Sequence, residues 1–134
     1  MKTVIDSYAW IELFSGTEKG RKVKDILENS EEIYTPDIVL AEIARKFLRE
    51  GEENVINSRL QLITTASNIT VIDVKLALEA AKCYLELMEN ARKLKLNTPS
   101  LFDAIILATC RLTESKIVTG DQHFKNLPET IWIK

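Results

Sequence analysis

Short apolar runs of four or five residues recur along this chain, and most are followed by a longer stretch with helical spacing. That alternation limits the folds open to it. The runs read as strands over Lys2–Asp6, Glu32–Thr35, Ile69–Ile72, Lys116–Thr119 and Thr130–Ile133. Between them, Ser7–Phe14 and Lys19–Asn29 read as helices, as do Glu52–Ser67 and Val74–Leu96. Pro36–Glu50 places Leu40, Ile43, Ala44, Phe47 and Leu48 on one helical face and stops at Gly51, a residue suited to the position just past a helix end. Thr98-Pro99 reads as a cap with proline at the first helical position, opening a helix to about Thr113. Strands alternating with helices give an α/β class, with a parallel-type five-stranded sheet covered on both faces.

The 134 residues are expected to form one domain, 1–134, large enough to bury roughly two-thirds of the unfolded surface. Apolar residues make up 46% of the chain, with only four Gly and three Pro, which excludes a disordered polypeptide. The longest uncharged apolar stretch, Ala104–Cys110, is too short to span a bilayer, so no membrane association is expected. Lys2 leads straight into a strand with no signal-peptide core, which points to the cytoplasm. Cys83 and Cys110 sit inside apolar helical patterns, away from each other and from the only histidine, and read as core residues rather than a disulfide or zinc site. The net charge of −2 offers no global field for nucleic acid. Basic clusters do occur at Lys19, Arg21, Lys22 and Lys24, at Arg45, Lys46 and Arg49, and at Arg92, Lys93 and Lys95. Each taken alone is a solvated helix face.

The chemistry-bearing feature is acidic. In an open α/β sheet, ligands bind outside the carboxyl ends of the strands. Three apolar runs finish there on an aspartate: TVID at Asp6, TVID again at Asp73, and KIVTGD at Asp121. Asp73 directly precedes a long helix and reads as its N-cap. Asp6 fits a cap and a functional acid equally well. Asp121 follows Gly120, where the chain can turn sharply, and no clear amphipathic helix begins after it, so capping explains it poorly.

Asp103 lies in PSLFDAIILATCRL, where Leu101, Ile105, Ala108 and Leu112 form one apolar stripe and Ile106, Leu107 and Cys110 are apolar on the other side. A helix apolar nearly all round is a buried helix, and a buried carboxylate is costly unless it is paired, hydrogen-bonded or holding a metal. No base stands within one turn of it, so any partner must come from elsewhere in the fold. Glu42 points away from the core stripe of its helix, and Lys46 at i+4 would satisfy it as an exposed pair.

Taken together, these residues resemble the PIN-domain ribonucleases, and among them the VapC-type toxins of toxin–antitoxin pairs. The likeness runs over nearly the whole chain in the family's order: Asp6-Ser7 at the end of a strand, Glu42 in the helix after a proline, Asp103-Ala104 through Ala108, then Thr119-Gly120-Asp121-Gln122-His123-Phe124. One departure is Tyr8, where many relatives carry a small hydroxyl or amide residue. The acidic set does not depend on it. The resemblance implies that Asp6, Glu42, Asp103 and Asp121 converge on a divalent-metal site. Asp6 and Asp103 would be the main ligands, Asp121 and Glu42 would serve a second metal or orient water, and Thr119 would support the site by hydrogen bonding. Oxygen ligation without His or Cys suits Mg²⁺ or Mn²⁺ rather than zinc. Metal-activated hydrolysis of an RNA phosphodiester would then need no side-chain nucleophile.

Arg45 and Arg49, on the outward side of the Glu42 helix, become candidate phosphate contacts. His123 reads as a loop histidine near the site rather than a general base. The implied partners are RNA, a cognate antitoxin and a second copy of the chain in a homodimer, with Trp10 and Phe14 either on such a surface or in the core. The competing functions are an RNA-processing nuclease without an antitoxin, and a catalytically silent RNA- or protein-binding module.

Overall fold

The computed structural model covers residues 1–134. Five strands form a single sheet in the order β3–β2–β1–β4–β5, every neighbouring pair parallel. They are β1 (Lys2–Ile5), β2 (Glu32–Pro36), β3 (Asn68–Thr70), β4 (Lys116–Thr119) and β5 (Thr130–Trp132). The helices are α1 (Ser7–Ser15), α2 (Glu18–Glu28), α3 (Asp37–Arg49), α4 (Glu53–Ala66), α5 (Val74–Leu94) and α6 (Leu101–Leu112). The α/β class and the five-stranded parallel sheet agree with the sequence pattern.

Successive residues of a strand face opposite sides of the sheet. In the two central strands Thr3, Val4 and Ile5, and Ile117, Val118 and Thr119, are all fully buried, so helices cover both faces. Seven consecutive residues of α6, Ala104–Cys110, are buried, as its all-round apolar pattern requires. Its expected stripe ends differ: Leu101 and Leu112 stay exposed. Trp10 has no exposed surface and donates from Nε1 to Thr35 Oγ1 at 3.1 Å, so it is a core residue and not part of an outer binding surface. Cys83 and Cys110 are free and buried, and burial pushes the Cys110 thiol up to about 12, which leaves it unreactive.

Several boundaries move from the sequence expectation. β3 starts one residue before the expected Ile69–Ile72 and ends two residues before it, because Asn68 pairs with Tyr34 while Val71 and Ile72 remain exposed beyond the strand end. Pro36 closes β2 rather than opening α3. α6 begins at Leu101, not Pro99, because Ser100 takes the cap: its Oγ accepts from Asp103 N–H at 3.1 Å. Gly51 adopts φ +75° just past α3, in the left-handed region that terminates helices.

The chain runs outward from β1 through β2 to β3, then returns to the other side of β1 for β4 and β5. The order therefore reverses between β1 and β4, and the carboxyl ends of these strands form the switch point at which open α/β sheets bind ligands. Asp6 leaves β1 at that point, and Thr119-Gly120-Asp121 leaves β4 beside it.

Candidate active site

Asp6 sits one residue past β1, 3% exposed, and is held twice. One carboxylate oxygen caps α1, accepting from Ala9 N–H at 2.9 Å; the other accepts the Thr119 hydroxyl proton in a short hydrogen bond. Capping and site placement therefore coincide in this residue. Thr119 Oγ1 in turn accepts from Asp121 N–H at 2.9 Å, so one hydroxyl ties the β1 and β4 ends together.

Contrary to the sequence expectation, Asp121 is a cap: its Oδ1 accepts from His123 N–H at 2.9 Å and opens a 3₁₀ turn over Gln122–Phe124. Asp103 lies in the first turn of α6, not beyond it, and forms a reciprocal capping box in which its Oδ2 accepts from Ser100 N–H at 2.9 Å. Each of these three aspartates is thus fixed by the backbone before any ligand arrives.

Glu42 is half-buried on α3, and the expected pair with Lys46 does not form: Lys46 binds Glu50 at 2.6 Å instead. Glu42 Oε1 is buried with no hydrogen-bond partner. Such an oxygen is costly to leave unmet.

The electrostatics show how closely the four acids approach. Burial raises Asp6 from 3.8 to about 7 against the hydrogen bonds from Thr119 and Ala9, and the charges of Asp121 and Glu42 raise it further. Glu42 is raised to about 7 by burial first and then by Asp103, with Asp121 adding and Arg45 opposing. Asp103 is raised by burial and by Asp121. Arg45 stands near the cluster on α3, whereas Arg49 is exposed at that helix's end and forms no ion pair with the acids.

His123, read from the sequence as a loop histidine near the site, lies in the turn after β4 and directly against the acids, so the donor group includes a histidine beside the expected oxygens. Its Nδ1 is 3.0 Å from Asp121 Oδ1 and 3.9 Å from Asp103 Oδ2, and these three residues can bring ligand atoms within 4.8 Å of one another. Its Nε2 lies 2.8 Å from the Asn97 carbonyl oxygen, which can only accept, so Nε2 carries a proton. Burial opposes a charge on the ring, yet Asn97 and Asp121 outweigh it and hold the pKa above the ordinary value. When protonated, the ring would place positive charge among the acids. Two sequence signals mark what was missed: the Ser100-x-x-Asp103 spacing of a capping box, and a histidine two residues after the β4 aspartate.

The residues fit a hard divalent cation. The donors are carboxylates from four separate elements, their mutual charge is disfavoured without a cation, and Glu42 holds an orphaned buried oxygen. Asp103, Asp121 and His123 are the tightest group; Asp6 and Glu42 stand wider around it.

The raised pKa of Asp6 has a consequence for the metal-free protein. An ordinary aspartate in the unfolded chain titrates near 3.8, and in the fold near 7. The folded state therefore binds the proton more tightly, and this stabilisation is fully present below about 3.8 and is lost as pH rises through about 7. At about 1.4 kcal/mol per unit of separation, the loss is a few kcal/mol. Urea unfolding in EDTA should show wild type and Asp6→Asn similar at the acid end and the variant more stable at pH above 7. A gap that does not change with pH would remove the argument.

A family model described as PIN domain matches residues 3–129. No curated protein matches the sequence. Among solved structures, a toxin–antitoxin complex from Klebsiella pneumoniae is 24% identical with a TM-score of 0.68, covering 98% of each chain. A DNA-bound VapBC from Salmonella typhimurium is 16% identical with a TM-score of 0.73, covering 100% of this chain and 99% of that one. VapC20 of Mycobacterium tuberculosis, described as a toxin that cleaves the sarcin–ricin loop, is 16% identical with a TM-score of 0.67 over 86% of each chain. At these identities the likeness is one of fold.

Proposed function

The chain belongs to the PIN domain family, and from that premise we propose that it is a metal-dependent endoribonuclease, the toxin of a toxin–antitoxin pair. The observation that carries the reading is the carboxylate cluster at the β1–β4 switch point, with its unmet Glu42 oxygen. Asp6, Asp103, Asp121 and Glu42 are the residues that would hold Mg²⁺ or Mn²⁺. When bound, the cation would supply Lewis-acid activation of water and neutralise charge on the phosphoryl oxygens.

The chain's own groups do the rest. The caps on Asp6, Asp103 and Asp121 fix their carboxylates, so little reorganisation is needed on binding. Glu42, whose buried Oε1 has no hydrogen-bond partner, would accept a proton from the attacking water. Thr119 keeps Asp6 and Asp121 in register. Arg45 and Arg49 would contact the phosphate backbone. Neither cysteine can act as nucleophile, since both thiols are buried and their pKa values are raised.

RNA is favoured over DNA by the family resemblance and by the sarcin–ricin loop named for one neighbour. An antitoxin partner is supported by neighbours solved as toxin–antitoxin complexes. A groove of about 520 Å³ lined by Leu13, Phe14 and Leu62, with Lys24 and Arg59 at its edge, offers such a partner an apolar surface. A homodimer is supported by Val74, Leu78 and Leu85, exposed along α5. No helix is long and apolar enough to cross a membrane.

The test is cleavage of structured RNA by purified protein. We expect internal cuts in Mg²⁺ or Mn²⁺ that leave 5′-phosphate and 3′-hydroxyl ends and stop in EDTA. Cleavage that persists in EDTA would refute the reading.

A further inference from the structure

The basic cluster at the start of α2 is divided by the fold. Lys19 and Lys22, one turn apart, face a cleft of about 490 Å³ that Lys134 reaches from beyond β5. None of the three ammonium groups forms an ion pair, although Glu12 and Glu18 share the cleft. Glu12 is engaged by the Thr17 hydroxyl, which donates to Oε2 at 2.5 Å. Lys24, by contrast, turns to Glu28 at 4.0 Å and leaves the group.

Tyr8 joins this cleft to the acid cluster. Its ring rests on Gly120 so closely that a Cβ there would lie 2.4 Å from Tyr8 Cε1, and Gly120 separates Thr119 from Asp121. Lys19 Nζ donates to the Tyr8 hydroxyl at 3.3 Å, and Lys134 Nζ stands 5.5 Å from the ring centre. A single ring therefore lies between Lys19 and Lys134 on one side and the Gly120-Asp121 turn on the other. The residue that departs from the family pattern is the one that holds two cations beside the site.

We propose that the Lys19–Lys22–Lys134 cleft binds a backbone phosphate of the RNA strand, adjoining across Tyr8 the phosphate that enters the acid cluster. The proposal rests on the ribonuclease reading above. A strand approaching the four carboxylates is repelled until cations are present, and the net charge of −2 gives no general attraction. Three unpaired ammonium groups immediately to one side would attract the strand and fix the direction in which it crosses the site. Lysines act here as point charges and carry no base information, so their contribution is independent of sequence.

Binding can be measured without cleavage in the Asp103→Asn protein with Mg²⁺, using fluorescence anisotropy of a short labelled single-stranded oligoribonucleotide across a salt series. Relative to that parent, changing all three lysines to alanine should weaken binding at least about tenfold. It should also flatten the slope of log affinity against log salt by about 0.7, the value for one phosphate contact on a single strand. The triple arginine variant should bind like the parent, and Lys22→Glu, a change at an exposed position, should weaken binding by itself. Melting temperatures establish that each variant is folded. An alanine triple that keeps the parent's affinity and slope would overturn the cleft while leaving the ribonuclease reading intact, as would an arginine triple as weak as the alanine one. A parent that fails to bind the oligoribonucleotide, together with a wild-type protein that fails to cleave RNA in Mg²⁺, would overturn both.

Discussion

Asp103→Asn should lower the rate of RNA cleavage by about a thousandfold while leaving the fold standing. The substitution is nearly isosteric, and the asparagine oxygen can still accept the Ser100 N–H bond now made at 2.9 Å, so the capping box that starts α6 survives. What is lost is one negative charge and one strong cation donor in the tightest part of the cluster, beside Asp121 and His123. Removing some 4 kcal/mol of transition-state stabilisation corresponds to that factor, at about 1.4 kcal/mol per tenfold. Asp73→Asn provides the contrast. Asp73 is exposed and caps α5, its Oδ1 accepting from Leu76 N–H at 2.8 Å, and no acid of the cluster senses its charge. Its cleavage rate should stay within about twofold of wild type. Single-turnover rates for the two variants, measured side by side, decide the matter. A residual Asp103→Asn rate within a few-fold of wild type would mean that the cluster is not where the chemistry occurs.

The two variants also show what the sequence can and cannot convey. TVID occurs twice, and both aspartates cap the helix that follows. Only sheet order separates them: Asp6 leaves a central strand at the switch point, whereas Asp73 follows the edge strand β3. Sheet order depends on tertiary packing and leaves no local mark. The strands themselves were legible because parallel strands buried on both faces must be continuously apolar. β3 was placed late because Val71 and Ile72 look like strand residues yet lie exposed past its end.

Glu42 was ambiguous for a different reason. An i,i+4 rule allows Lys46 to pair in either direction, and the side chain goes to Glu50, leaving Glu42 turned towards the acids. His123 could be read only as a loop histidine near the site, because a single histidine in a turn carries no periodicity. Its role depends on Asn97 and Asp103, which only the fold brings near.

Mn²⁺ should raise the melting temperature of the wild-type protein by about 10 °C, and Asp6→Asn should both raise the metal-free value and blunt that response. A ligand that binds only the folded state at a hundred times its dissociation constant adds about 2.7 kcal/mol. For a chain of this length each kcal/mol is worth roughly 4 °C. The second half follows from burial. Asp6 is 3% exposed and held near other acids, so above neutral pH its ionised form is a cost that the metal-free fold carries. Asparagine removes the charge but can keep the 2.9 Å cap to Ala9 N–H. The variant should therefore be the more stable protein in EDTA and the less stable one in saturating Mn²⁺, so that the two melting curves exchange order when metal is added. A residue present merely to cap α1 would produce no exchange: its replacement would leave stability unchanged or lower it equally with and without metal. Thermal scans of both proteins at pH 8, with EDTA and with Mn²⁺, distinguish the two cases. An unchanged order would return Asp6 to a purely structural part.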